Sequence, residues 1–222
     1  MKQNSEVIMA TLAFVDIDTQ KDFMVSSGAL YVPGAESIIP KLRELTEIAK
    51  KHKIKILGSV DRHFGDEAHK ENEKELKRWG GPFPDHCMDG SDGQKKIPET
   101  SVKKTAYIEN RPYDEKELEK IIKKHDAIIL EKQTYNVFSN VNAEKVFSFA
   151  NSYVVYGVAT DYCVKAAVLE LLKRKKKVYL VVDAIKEVAQ ETGKNALKEM
   201  EDLGAIKVDT NWIRENIQKL LK

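Results

Sequence analysis

Hydrophobic positions along the chain follow two alternating spacings. Continuous apolar runs of strand length alternate with stretches in which apolar residues recur every three or four positions, as on one face of a helix. The clearest helical stripe consists of Val164, Ala167, Val168, Leu171 and Leu172. The predicted strands cover residues 12–17, 54–60, 106–108, 127–130, 153–158, 178–182 and 205–208.

This alternation predicts the class of fold. Strands that are apolar on both faces are typical of a parallel sheet that helices cover on each side. We therefore predict an α/β fold with three α/β/α layers and a mainly parallel central sheet. No internal repeat or Gly/Pro/Ser-rich linker interrupts the pattern, so residues 1–222 are interpreted as a single domain. Functional residues are expected at the carboxyl ends of the strands, where such sheets bind their ligands.

Composition excludes several classes of protein. The chain has 222 residues, of which 42% are hydrophobic and 32% charged, with a formal net charge of +2. This charge balance predicts no binding to nucleic acid or membranes, and no apolar run approaches the ~20 residues of a membrane span. Two cysteines are too few for a disulfide framework. The apolar run at residues 7–15 lacks a cleavage site after it and is interpreted as a first strand, so a cytoplasmic protein is expected.

One segment departs from the alternating pattern. Nine of the thirteen residues from 66 to 78 are charged, and no apolar stripe is visible among them. A run of charges usually forms a solvated face, and we prefer this interpretation. Because the segment lies between a predicted strand end and a Gly-Gly-Pro turn, we expect an exposed excursion with a short helix. A lid over the strand ends is a further hypothesis.

A cysteine follows the strand predicted at residues 153–158. Thr160 is placed to cap the next helix, which puts Cys163 near its first turn. Backbone N–H groups and the helix dipole would there lower the pKa of the thiol. The same N–H groups can bind an oxyanion. Cys163 is therefore a candidate nucleophile, and a small buried apolar residue is the alternative.

A thiol nucleophile needs a base, and no histidine lies near Cys163 in the sequence. Asp18, after the first strand, is a candidate because a buried carboxylate can have a raised pKa suited to proton transfer. Asp16 and Asp22 are other candidates for this role. The alternative interpretation of Asp18 is that it only forms a turn or caps a helix. Lys132, after the fourth strand, could stabilise both the carboxylate and the thiolate, or could be one of many surface lysines.

A second group of residues has the chemistry of metal ligands. Asp61 and His63 follow the second strand, and an extended Asp-x-His segment places both side chains on one face. With His69 and His86 they offer a carboxylate and up to three imidazoles, which suits Zn²⁺, Fe²⁺ or Mn²⁺. Scattered surface histidines are the alternative, above all for His69 in the charged segment. Cys87 has no second cysteine nearby, so a zinc–thiolate site is not expected there.

Taken in order, five short motifs between residues 12 and 205 resemble those of the nicotinamidase/pyrazinamidase family of isochorismatase-like cysteine hydrolases. They are Asp18-x-Gln20-x-Asp22-Phe23, the stretch at residues 28–35, Asp61-x-His63 with the two later histidines, Lys132, and the segment at residues 157–163. The metal residues favour this family, because many sister hydrolases lack them. One departure is Phe83, which stands where the family often has tryptophan.

The resemblance implies a role for each catalytic residue. Asp18 would be the base, Lys132 the stabilising cation and Cys163 the nucleophile. The backbone N–H groups of Ala159 and Cys163 would form the oxyanion hole. A cis peptide bond is expected between Val158 and Ala159.

The binding residues are assigned in the same way. The resemblance implies a metal bound by Asp61, His63 and His86, with His69 as a further ligand, and zinc is expected before iron or manganese. Phe23 and Phe83 would pack against the ring of the substrate.

The reaction implied by the resemblance is hydrolysis of nicotinamide to nicotinate and ammonia through a thioester, a step of NAD salvage. The expected partner is this small neutral molecule, and neither nucleic acid nor a membrane is expected. Sister proteins often self-associate, so a homo-oligomer stays open, although no interface can be identified in the sequence. Two alternatives are another amide or carbamoyl hydrolase of the superfamily and a non-catalytic binding protein on this fold.

Overall fold

The computed structural model describes residues 10–222, and residues 7–9 of the predicted first apolar run lie outside this range. Seven parallel strands form one sheet. They are β1 (Ala10–Ile17), β2 (Ile56–Asp61), β3 (Thr105–Ile108), β4 (Ala127–Lys132), β5 (Ala150–Val158), β6 (Lys177–Lys186) and β7 (Ile206–Val208). Their order across the sheet is β3-β4-β2-β1-β5-β6-β7. The predicted parallel sheet is confirmed. The largest difference at a strand end is in β6, which was predicted to end at residue 182 but continues to Lys186.

Helices cover both faces of the sheet. They are α1 (Lys21–Met24), α2 (Ile39–Lys51), α3 (Glu115–Lys124), α4 (Ala143–Phe147), α5 (Lys165–Lys173), α6 (Gln190–Asp202) and α7 (Thr210–Leu220). In the described residues, no helix is both long and apolar enough to cross a membrane.

Two hydrophobic cores lie on opposite sides of the sheet, as the period-two alternation of a strand requires. Ala13 and Val15 of β1 face a core that α3, α4, α5 and α6 complete. Leu12 and Phe14 face the core formed with α1, α2 and α7. This arrangement confirms the three-layer α/β/α class.

The register of the central strands brings their carboxyl ends to one place. Ile17 at the end of β1 pairs with Ser59 of β2 and with Gly157 of β5. Asp61 pairs with Lys132 at the ends of β2 and β4. A Cβ atom on Gly157 would lie 2.1 Å from the carbonyl oxygen of Ile17, so only glycine allows β5 to approach β1 this closely. The residues after these four strands therefore surround a common space.

The charged segment at residues 66–78 contains no regular α-helix. It forms two short 3₁₀ turns, Lys70–Asn72 and Lys77–Trp79, joined by an irregular stretch. Two of its residues, Glu73 and Leu76, are fully buried. The expectation of a wholly solvated excursion is therefore wrong for this part of the segment.

Candidate active site

Asp18 lies in a sharp turn directly after β1. Its backbone has a positive φ of 48°, a conformation that aspartate tolerates better than most residues. The carboxyl group is fully buried, and its Oδ1 accepts a hydrogen bond of 2.7 Å from the Ser59 hydroxyl. Burial raises the pKa of Asp18 above its ordinary value, although Lys132 opposes this shift. Such a carboxylate is prepared to accept a proton.

Lys132 is the final residue of β4 and is fully buried, so it is not the surface lysine of the alternative interpretation. Its Nζ lies 2.8 Å from Asp18 Oδ2, also contacts Asp61 Oδ1, and is 3.7 Å from Cys163 Sγ. Burial alone would lower the pKa of Lys132, but the two carboxylates raise it well above its ordinary value. The lysine is therefore a fixed cation between two acids and a thiol.

Cys163 lies in a π-helical turn, Thr160–Val164, that leads into α5. This turn begins without a side-chain cap, and the buried Thr160 hydroxyl has no hydrogen-bond partner among the described residues, so the predicted Thr160 cap is wrong. Burial raises the pKa of the Cys163 thiol well above its ordinary value, with Lys132 opposing and Asp18 adding to the shift. The expected lowering of this pKa is therefore also wrong. The peptide bond between Val158 and Ala159 is cis, as predicted.

The other two candidates for the base, Asp16 and Asp22, form contacts away from Lys132. Asp16 is buried against Lys96 Nζ at 2.9 Å and accepts a hydrogen bond from Thr19. Asp22 accepts hydrogen bonds from the backbone N–H groups of Cys87 and Ala29. Both side chains support loops, and the structure brings Asp18 alone of the three to Lys132.

Four side chains form a group that could hold a metal ion: Asp61, His63, Glu75 and His86. Their ligand atoms all lie within 4.8 Å of one another. His86 Nε2 is 3.5 Å from Asp61 Oδ2, and His63 Nε2 is 3.4 Å from Glu75 Oε1. Two imidazoles and two carboxylates suit a divalent first-row ion such as zinc.

The surroundings of these four residues fit a metal ion. His63 is fully buried, yet in the described part of the chain neither of its ring nitrogens has a hydrogen-bond partner. His86 Nδ1 lies 2.7 Å from the carbonyl oxygen of Pro84, which leaves Nε2 directed at the group. A buried imidazole without partners is costly, and a metal ion at Nε2 would satisfy it.

His69, the further ligand that the sequence predicted, lies outside this group. Its Nδ1 is 2.7 Å from Asp66 Oδ1, and its ring stacks on Phe64 with 4.0 Å between centroids. The side chain is 39% exposed. Because the 3₁₀ turn after His69 carries it outward, Glu75 occupies the fourth position instead.

Sequence reasoning missed Glu75 because it is one of many charges in its segment. Its Oε2 accepts a hydrogen bond of 3.1 Å from the backbone N–H of Tyr135, which directs Oε1 toward the two histidines. No signal in the sequence separates Glu75 from the other charges, because the burial of Glu73 and Leu76 that orients the segment arises only in the folded protein.

Gln20, part of the first motif, fixes the position of Asp61. Its Oε1 accepts a hydrogen bond of 2.7 Å from the Asp61 backbone N–H, and its Nε2 donates one of 2.8 Å to the Asp61 carbonyl oxygen. Nε2 also donates to the carbonyl oxygen of Gln94. The loop after β1 is thereby tied to the end of β2.

A small cavity opens onto both groups. Its lining includes Cys163 and Ala159 together with Asp61, Glu75 and His86. The remaining wall consists of aromatic and aliphatic side chains: Phe23, Leu30, Tyr31, Val32, Phe83, Tyr135, Val158, Tyr162 and Val188. The two aromatic residues predicted to contact substrate, Phe23 and Phe83, both lie in this wall and pack around His86.

The fold and this cavity define a class of protein, a three-layer α/β domain with a cysteine, an aspartate and a lysine beside a metal-type group. The isochorismatase domain model matches residues 12–211. The chain therefore belongs to the isochorismatase-like hydrolase family, as the resemblance of its motifs implied.

The chain is similar to several individual proteins, of which three are described here. The nicotinamidase of Escherichia coli (strain K12) is 24% identical over 216 residues, which cover 89% of this chain and 94% of that protein. The crystal structure of Pyrococcus horikoshii pyrazinamidase in complex with zinc has a TM-score of 0.69 and 29% identity, covering 89% of this chain and 98% of that one. N-carbamoylsarcosine amidase from Thermoplasma acidophilum has a TM-score of 0.66, 22% identity and coverages of 90% and 96%, and this likeness shows the fold alone.

Proposed function

We propose that the protein is a metal-containing cysteine amidohydrolase that converts nicotinamide to nicotinate and ammonia. The observation that supports the proposal is the cavity, because Cys163 and three residues of the ligand group, Asp61, Glu75 and His86, all line the same largely apolar space. A ring bound between the ligand group and Cys163 would present its amide to the thiol. The relatives that are named nicotinamidase and pyrazinamidase, the latter with zinc, support this assignment.

Asp61, His63, Glu75 and His86 would hold the metal ion. When bound, it supplies a Lewis acid that accepts the lone pair of the pyridine nitrogen and so orients the ring. Phe23 and Phe83 pack against His86 and would confine the ring between them. The amide, on the far side of the ring, would then lie near Cys163.

Formation of the thioester begins with the transfer of a proton. Asp18 accepts it from Cys163 Sγ, and the thiolate forms a bond to the amide carbon. Lys132 Nζ contacts both Asp18 and the sulfur, so its charge stabilises the negative charge before and after the proton moves. Burial raises the pKa of Asp18 as well as that of Cys163, which makes Asp18 a stronger base for this proton.

The remaining steps use the same residues. The backbone N–H groups of Ala159 and Cys163 would hold the tetrahedral oxyanion. Asp18 returns the proton to the nitrogen, the C–N bond breaks and ammonia leaves. A water molecule then gives a proton to Asp18 and attacks the thioester, which releases nicotinate and restores the thiol.

The cavity favours a neutral substrate. No lysine or arginine is among the residues that line it, whereas Asp61 and Glu75 are. A carboxylate brought into this apolar space would lose its hydration without gaining a lysine or arginine of the lining to pair with, so a substrate that carries one is disfavoured. This feature separates the proposed reaction from hydrolysis of carbamoyl amino acids or isochorismate, which bring carboxylates into the site.

A panel of substrates tests the proposal. We expect kcat/KM for nicotinamide to exceed that for N-carbamoylsarcosine and for isochorismate at least 100-fold, which corresponds to about 2.7 kcal/mol of discrimination. Release of ammonia and of the free acid products measures the rates. Pyrazinamide, a neutral ring amide of similar size, is the matched positive control. Faster turnover of either carboxylate substrate would contradict the assignment.

A further inference from the structure

Glu73 is a buried acid that the proposed reaction does not use. It lies in the charged segment between the two 3₁₀ turns and is fully buried. Oε1 accepts a hydrogen bond of 2.5 Å from the backbone N–H of Phe64, and Oε2 accepts one of 2.9 Å from that of Gly65. These bonds fix both carboxylate oxygens directly after His63 in the chain.

The two glutamates of this segment approach opposite sides of one imidazole. Glu75 Oε1 is 3.4 Å from His63 Nε2, whereas Glu73 Oε1 is 3.7 Å from His63 Nδ1. Nε2 is the nitrogen that faces the other ligands, and Nδ1 faces away from them toward Glu73. Leu76, fully buried, anchors the segment, and its N–H donates to the carbonyl oxygen of Glu73.

We propose that Glu73 is a positioning residue that selects the His63 tautomer with a proton on Nδ1 and a free lone pair on Nε2. This inference rests on the proposed metal site. The separation of 3.7 Å between His63 Nδ1 and Glu73 Oε1 is longer than a hydrogen bond, so the proposal includes a small rotation of the ring that brings Nδ1 within reach of Glu73. A carboxylate that accepts from the distal nitrogen of a ligand histidine fixes its tautomer and raises its basicity.

The alternative for Glu73 is a purely structural role in the turn at residues 64–65. Both of its oxygens already accept backbone hydrogen bonds, and a carboxylate has lone pairs for a further donor. Because Oε1 is the oxygen nearest to both Phe64 N and His63 Nδ1, the turn holds the acceptor in place for the histidine. The two roles differ in one respect: only the positioning role makes the tautomer of His63 depend on Glu73.

Glu73→Gln tests the proposal through metal affinity. The amide keeps the shape but lacks the charge, so we expect the dissociation constant for Zn²⁺ to rise about 10- to 100-fold. Competition with a chromogenic chelator measures it without any assay of activity. Glu71→Gln is the matched control, because Glu71 belongs to the same segment but is exposed and pairs with Lys74. Its Zn²⁺ affinity should equal that of the wild type.

A second readout separates positioning from structure. We expect the ¹⁵N shifts of the His63 ring in the metal-free wild type to show a proton on Nδ1, and those of metal-free Glu73→Gln to show a mixture of the two tautomers. If the folded Glu73→Gln variant keeps the Zn²⁺ affinity or the His63 tautomer of the wild type, the proposal is overturned. If Glu73→Gln does not fold, Glu73→Asp replaces it, since it withdraws the acceptor by one methylene and should also weaken Zn²⁺. A wild type that binds no Zn²⁺ would instead refute the metal site itself.

Discussion

Replacement of Cys163 with alanine should lower the rate of ammonia release from nicotinamide by about 10⁴- to 10⁶-fold, to the level that binding alone supports. The expected loss is large because no other thiol lines the cavity and the thioester cannot form without Sγ. The variant should still bind zinc, since Cys163 is not among the metal-type ligands. Ammonia release under saturating substrate measures the effect.

Cys87→Ala is the matched control for this prediction. Cys87 is also fully buried, but it does not line the cavity, and burial raises the pKa of its thiol well above the ordinary value. We expect the turnover of Cys87→Ala to stay within about twofold of the wild type. Its free energy of unfolding should fall by about 1 kcal/mol, because the contacts of the sulfur are lost. Comparable turnover in Cys163→Ala and the wild type would refute the nucleophile assignment.

Replacement of Lys132 with methionine should destabilise the protein by about 3–5 kcal/mol, because it leaves Asp18 and Asp61 ionised and buried without their cation. Urea unfolding measures this effect. A chelator is present so that no bound metal ion offsets the charge of the two carboxylates. Lys198→Met is the control, since Lys198 pairs with Asp202 on the surface, where such a pair contributes less than about 1 kcal/mol.

The penalty of Lys132→Met should depend on pH. In the wild type the pKa of Asp61 is lowered, because Lys132 and the histidines outweigh burial, so the ion pair adds stability above the unfolded pKa of about 3.9. Below that pH the unfolded carboxylates are protonated and this stabilisation declines. The difference in unfolding free energy between variant and wild type should therefore narrow as pH falls below about 4, where the unfolded carboxylates take up protons. A constant difference would show that lost packing, not charge, is responsible.

The sheet could be predicted from the sequence because its strands are buried on both faces. A strand such as β4 must then be apolar at successive positions, and its run ends where the first polar residues, Glu131 and Lys132, appear. The same physics directed attention to Asp18 and Asp61, each at or just after the end of a parallel strand. Such residues necessarily meet at one edge of the sheet.

Other parts of the site depend on contacts that the sequence does not contain. Glu75 and Glu73 could not be distinguished from the surrounding charges, because only folding buries Glu73 and brings Glu75 to the two histidines. His69 was a reasonable ligand by type, but a local turn directs it to Asp66. The thiol pKa of Cys163 was predicted from its own helix, whereas burial and acids on distant strands determine it.

The central claim, a metal-dependent amidohydrolase for nicotinamide, is tested most directly by ammonia release from three preparations of the protein. These are the zinc-loaded protein, the same protein stripped by a chelator, and the stripped protein reloaded with zinc, each with its metal content measured. We predict turnover in the first, a loss of at least about 100-fold in the second, and recovery in the third. No ammonia from the zinc-loaded protein, or an undiminished rate from protein shown to lack metal, would contradict the account.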